Sequence, residues 1–190
     1  MNIYALFAGG LMVCSQSIYI LNVLFGNGRP VQSSWLVWTL ASCSMFASMY
    51  QANVVNTQIA VSATGTLIIF LLSLRYGNPE GWSKTDYVCL VCSLVGLTLW
   101  FVLDNPYIAL GANILTMLIS CGPTFASVYA HPERESWISW ALVVAASLAA
   151  IASLEVYSLP TLAQPISYMI GPTVILFLIY RDRNNEKPRT

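Results

Sequence analysis

Long apolar runs alternate with short polar clusters along the whole chain. A stretch of about 20 mostly apolar residues is long enough to cross a bilayer as a helix. Seven such stretches are read here: Tyr4 to Phe25, Ser34 to Gln51, Asn56 to Leu74, Tyr87 to Leu103, Pro106 to Tyr129, Trp137 to Tyr157 and Thr161 to Tyr180. The breaks between them are turn chemistry. Gly26-Asn27-Gly28-Arg29-Pro30 and Gly77-Asn78-Pro79-Glu80-Gly81 are Gly/Pro/Asn clusters, and Asp104-Asn105-Pro106 ends one span and opens the next. His131-Pro132-Glu133-Arg134-Glu135 reads as a polar hinge and Ser158-Leu159-Pro160 as the last turn. The expected fold class is therefore all-α integral membrane with seven transmembrane helices.

Composition agrees. Of 190 residues, 57% are hydrophobic and 8% charged, against roughly 25% charged in soluble domains. That excludes an ordinary soluble enzyme or a disordered chain. Eight basic residues balance eight acidic ones, so no excess of positive charge serves nucleic acid. The first positive charge, Arg29, follows the first span, which is expected to stay as a helix rather than act as a cleaved signal peptide.

Charge also orients the chain. Seven spans put Arg29, Arg75, Lys84, Arg134, Arg181, Arg183, Lys187 and Arg189 on one side, which accounts for all 8 basic residues. Asp104 and Glu155 fall on the other. The excess of basic residues on cytoplasmic loops then predicts N-terminus out and C-terminus in. The expected location is the cell (inner) membrane, multi-pass.

The chain carries an internal repeat. Aligned without gaps, residues 30–51 match 132–153 at Pro30/Pro132, Ser34/Ser136, Trp35/Trp137, Trp38/Trp140, Leu40/Leu142 and Ala47/Ala149. Span two thus pairs with six, one with five and three with seven. The unpaired fourth span supplies the extra crossing that returns the second copy to the same orientation. The organisation expected is a three-helix repeat over 1–76, a linker helix with its loops over 77–105, a second repeat over 106–181 and a cytoplasmic tail over 182–190. Parallel repeats of this kind are one plan of membrane transporters, with the substrate site at the repeat interface near mid-bilayer.

On this plan, and on Pro123-Thr124 followed by Glu135-Ser136 as a degenerate Pro-Gln/basic-Ser element, the chain resembles the PQ-loop superfamily, which includes the SWEET sugar facilitators. In span one the corresponding Leu21-Asn22 has no proline, and the first loop keeps only Pro30 and Ser34. Nicotinamide riboside carriers share the 3+1+3 plan. The resemblance implies alternating access between two three-helix bundles. The Trp and Asn that hold sugar in SWEETs find no counterpart, because Trp35, Trp38, Trp137 and Trp140 are expected near the inner interface.

Polar side chains deep in the spans mark candidate contacts, since a polar group in lipid is costly unless it faces protein or water. The candidate substrate-binding residues are Gln16, Ser42, Thr66, Ser120, Gln164 and Tyr168. Pro123, Pro165 and Pro172 interrupt helix hydrogen bonding and are candidate hinges. Gly9-Gly10 is expected to permit close helix packing. With no ionisable residue expected near mid-bilayer, the pattern points to a facilitator for a small, neutral polar solute. The alternative is a non-transporting membrane sensor or interaction protein. The last span has no lysine for a retinal Schiff base. The single histidine, His131, lies in a loop, so a bis-His haem is excluded. Cys89 and Cys92 read as buried small residues rather than a metal pair, and no metal, cofactor or catalytic residue is expected. The expected partners are membrane lipid and a solute, with a homo-oligomer compatible and nucleic acid excluded.

Overall fold

The structure, a computed structural model, describes residues 2–51, 55–78, 81–102 and 106–185. Seven α-helices account for nearly all of them: α1 (Ile3–Phe25), α2 (Gln32–Gln51), α3 (Thr57–Tyr76), α4 (Lys84–Val102), α5 (Pro106–Ala130), α6 (Trp137–Ala152) and α7 (Leu159–Asn185). No strand occurs among the described residues, and a 3-10 turn, Pro132–Arg134, leads into α6. Asp104, Asn105 and tail residues 186–190 lie outside the described residues.

Local chemistry sets the ends. Asn2 accepts a hydrogen bond from Tyr4 N, Asn56 from Ile59 N and Ser136 from Ser139 N, each an N-cap. Ser83 and Asp86 form a reciprocal capping box at the start of α4: Ser83 N donates to Asp86 Oδ2 at 2.8 Å and Asp86 N to Ser83 Oγ at 3.3 Å. Gly81, at φ 72°, makes the turn before it. The sixth helix is shorter than expected. It stops at Ala152 because Ser153 turns back on it, with its N–H on Ala149 O and its hydroxyl on Ala150 O. Thr161 then organises the next start, accepting from Ser158 N and donating to Val156 O. The last helix is longer than expected, running to Asn185. Pro123, Pro165 and Pro172 all sit inside continuous helices, α5 and α7.

Cross-links fix the helix directions. The C-terminal ends of α1, α3, α5 and α7 meet the N-terminal ends of α2, α4 and α6. Arg29 N donates to Arg134 O, Gln32 Nε2 to Ser73 O, and Trp82 Nε1 to Gln32 Oε1. Arg134 Nη1 reaches Asn78 Oδ1, and the Arg181 guanidinium lies 4.1 Å from the centre of the Tyr129 ring. This is the basic end, holding Arg29, Arg75, Lys84, Arg134 and Arg181. At the opposite end Thr57 Oγ1 bonds Ala5 O, and Asn56 meets Gln164.

The packing has an inner order. α1 packs on α3 and α6; α2 on α3, α4 and α5; α5 on α7; and α6 on α7. Exchanging α1 with α5, α2 with α6 and α3 with α7 maps the pairs α1/α3, α2/α3 and α1/α6 onto α5/α7, α6/α7 and α5/α2. Among the described residues, α4 contacts only α5 and α2. Polar side chains are buried beside the apolar core, and many large apolar side chains are exposed. Ser42, Gln58, Ser62, Ser73 and Ser147 are fully buried, whereas Leu6, Phe7, Val13, Leu71, Val91, Val95, Leu148 and Phe177 are exposed. An apolar surface this extensive is foreign to a soluble monomer. Three helical stretches, Ile3–Phe25, Thr57–Tyr76 and Thr161–Arg181, are by length and composition apolar enough to cross a membrane.

Candidate functional site: a cavity with an aromatic wall

The turn at the basic end feeds Trp35 into the first turn of α2, with its N–H on Val31 O. Trp38 follows one turn later, and Trp140 enters from the matching part of α6. The three indoles and Tyr19 from α1 form one cluster. Ring centroids are 4.9 Å apart for Tyr19–Trp35, 5.0 Å for Trp35–Trp38, 5.9 Å for Trp38–Trp140 and 5.8 Å for Tyr19–Trp140. Contacts of this kind contribute beyond their buried area, edge-to-face pairs especially.

Above this cluster lies a cavity of about 60 Å³, room for roughly two waters. Every helix except α4 lines it. Its polar wall is Ser15 and Gln16 of α1, Ser42 of α2, Thr66 of α3, Ser139 of α6, and Ser167 and Tyr168 of α7. Most of these groups are internally satisfied. Tyr168 Oη and Ser42 Oγ share a hydrogen bond of 2.6 Å, Thr66 Oγ1 donates to Ser62 O, and Ser15 Oγ donates to Ser139 O. Gln16 differs. Its Nε2 has only the weak acceptor Met12 Sδ at 4.0 Å, and its buried Oε1 has no donor. A Cβ on Gly65 would stand 2.7 Å from Gln16 Cδ, so this glycine makes room for the amide. Trp35 Nε1 likewise has no acceptor. The wall therefore offers one unmet acceptor and one unmet donor among aromatic and thioether surfaces, the usual make-up of a small-molecule pocket.

Polar bonds flank the cavity toward both ends of the bundle. At the basic end, Tyr19 Oη donates to Glu135 Oε1 at 3.1 Å and Trp140 Nε1 to Glu135 Oε2 at 2.8 Å. Burial pushes the Glu135 carboxyl up to about 7, and these two donors pull it the other way. At the other end a relay of amides spans three helices. Asn56 Nδ2 donates to Gln164 Oε1 at 2.9 Å, Gln164 Nε2 to Gln58 Oε1 at 3.2 Å and Gln58 Nε2 to Ser147 Oγ at 2.9 Å.

The sequence-based candidates divide accordingly. Gln16, Ser42, Thr66 and Tyr168 line the cavity, as does Pro172. Gln164 lies instead in the far relay. Ser120 faces its own helix, its hydroxyl on Met117 O, while its carbonyl accepts from Ser34 Oγ. Pro123 and Pro165 are buried in helix contacts. Trp35, Trp38 and Trp140 lie toward the basic end, where α2 and α6 begin, and line the cavity there. Trp137 is the exception, 45% exposed on the surface. It therefore does not share the environment of Trp35, its partner in the repeat alignment. Ser136 caps α6, whereas Ser34 lies inside the first turn of α2. Pro30 is buried and Pro132 opens the 3-10 turn.

Sequence reasoning missed Tyr19 and Glu135. Tyr19 was legible, since Met12, Gln16 and Tyr19 fall at i, i+4 and i+7 on one face of α1. Glu135 was not; it looked like part of a solvated hinge. No group of three metal-ligating side chains occurs among the described residues. Comparison of the chain with family models, with curated proteins and with solved structures finds no match.

Proposed function

We propose that the chain is a multi-pass integral membrane carrier for a small, polar, neutral solute, working by alternating access between α1–α3 and α5–α7. The observation that carries this reading is the cavity between the two halves, with a different set of interhelical polar bonds toward each end of the bundle. Two separate sets of bonds, broken in turn, would give the alternating access that this reading requires. The repeated contact pattern supports a 3+1+3 plan with α4 as linker, and the lipid-like outer surface supports seven crossings. The weaker apolarity of α2 fits as well. Its Ser33, Ser34, Trp35, Trp38, Thr39 and Ser42 are buried against protein, so lipid tests only one side of that helix. The unmet Gln16 carbonyl gives a bound solute a place to donate a hydrogen bond, and the aromatic wall gives it a face to stack on. The likeness to PQ-loop and SWEET proteins stands as part of this proposal.

The test is uptake by proteoliposomes against a panel of sugars, amino acids and vitamins. A transported solute should lose most of its uptake in Gln16→Leu, with folding retained. Absence of uptake across the panel, together with an unchanged response to Gln16→Leu in solute-binding assays, would favour a sensor or interaction protein.

A further inference from the structure

We propose that Glu135 is a proton site that governs the basic end of the cavity: with the proton bound that end stays shut, and loss of the proton lets α1 part from α6. The inference rests on the carrier reading above. Its starting point is position. Glu135 immediately precedes the N-cap of α6, and its carboxylate is turned inward behind the aromatic wall. Each oxygen makes one hydrogen bond: Trp140 N–H donates to one whatever the charge, while at the other Tyr19 O–H donates to the charged group and accepts the proton of the neutral one. One partner, Tyr19, belongs to α1; the other, Trp140, belongs to α6. Both partners line the cavity. The carboxylate is therefore the link between the two helices that must separate if the chamber is to open on this side.

His131, Arg134, Asp86 and Arg181 of the surrounding elements have described side-chain partners of their own. From α1 only the Tyr19 hydroxyl faces the carboxylate. On the loop before α6, His131 faces Glu133 at 3.4 Å and Arg134 bonds Asn78. Arg29, on the α1–α2 loop, is tied to Arg134 through its backbone N–H. From α4, Asp86 is held by Ser33 and Ser83. From α7, Arg181 lies on the Tyr129 ring of α5. The described partners of Glu135 are thus two neutral donors, and a buried anion with only these is poorly compensated.

Opening would hydrate the carboxylate and return it toward its ordinary value of 4.5, whereas the shut form holds it near 7. The proton thus binds more tightly to the shut form. By linkage, acid favours closure, and the open fraction climbs as pH rises between these two values and levels off above 7.

The experiment uses the full chain in liposomes with Cys121, which lines the cavity, as the sole cysteine; Cys14, Cys43, Cys89 and Cys92 become Ala. A membrane-impermeant maleimide is applied to the basic side, and labelling of Cys121 is timed from pH 6 to 8.5 with Glu135 and with Glu135→Gln. Thiol ionisation is common to both and cancels in the ratio of rates. The ratio is expected to rise about tenfold over this range. Glu135→Asp, which keeps a carboxyl, should retain a pH-dependent ratio. Tyr19→Phe keeps the carboxyl but removes the α1 donor, and should label faster at every pH, a readout that stands even if Glu135→Gln does not fold. A ratio constant with pH, with Cys121 still reactive, would overturn the proton site and leave the carrier reading intact. A Cys121 unreactive from both faces in every form would overturn the carrier reading and this proposal with it.

Discussion

Replacing Gln164 by Leu should lower stability rather than act on a bound solute. The amide is buried, and it makes two interhelical hydrogen bonds, one from Asn56 and one to Gln58. Gln58 is fully buried and passes the relay to Ser147, whose hydroxyl ends on Val143 O. Leucine removes both bonds and strands the Gln58 carbonyl without a donor. Interhelical hydrogen bonds in membrane proteins contribute about 0.6 kcal/mol on average and up to about 1.7, so two of them set an expected loss of about 1–3 kcal/mol. Reversible unfolding in mixed detergent micelles measures it. Adding Gln58→Leu alone and together with Gln164→Leu completes a double-mutant cycle, in which the direct bond should appear as coupling of about 0.6–1.7 kcal/mol. Wild-type stability in Gln164→Leu, or zero coupling in the cycle, would refute the relay as a stabilising link between α3 and α7.

Stability of the wild type should fall as pH rises through the window from 4.5 to about 7, because the folded Glu135 carboxyl binds its proton more tightly than the unfolded one. The raised value corresponds to about 3 kcal/mol at most; melting in detergent between pH 4.5 and 8 should show the slope, and Glu135→Gln should flatten it. Gly9→Val should cost about 1–3 kcal/mol by overpacking, since its Cβ would stand 2.8 Å from Thr57 Cβ, while Gly10→Val, with nothing within 4 Å, should be silent. Equal losses at the two glycines would contradict the α1–α3 approach. Cysteines placed at Asn27 and Glu155, both exposed and on opposite ends, should label from opposite faces of the membrane, the Asn27 site from the cytoplasmic one; labelling of both from one face would overturn the proposed topology.

Much of this arrangement could be read from residues in sequence. The Gly/Asn/Pro clusters after Phe25 and Tyr76 end α1 and α3 because they supply turn chemistry that acts locally. The same locality explains the Ser136 cap and the Ser83/Asp86 box. What escaped depends on partners distant in the chain. Glu135 sits among Pro132, Glu133 and Arg134, and only the approach of Tyr19, 116 residues away, makes it an interior group. Gln164 and Gln16 are chemically identical in sequence. One meets Asn56 and Gln58 and is satisfied; the other meets Gly65 and Met12 and is left with an open carbonyl. Gly9 and Gly10 divide for the same reason, since only Gly9 faces α3.

The three clustered indoles have an optical consequence. Trp35, Trp38 and Trp140 lie within 5.0–6.2 Å of one another, with interplanar angles from 32° to 85°. Chromophores this close and this skewed couple their electronic transitions and give paired circular-dichroism bands of opposite sign. Two of the indoles ride on α2 and the third on α6, so the signal depends on the distance between the halves. Separation of those helices would remove the two couplings to Trp140 and leave the Trp35–Trp38 pair, both on α2, as it is. The protein thus carries an intrinsic, label-free spectroscopic ruler across its own midline.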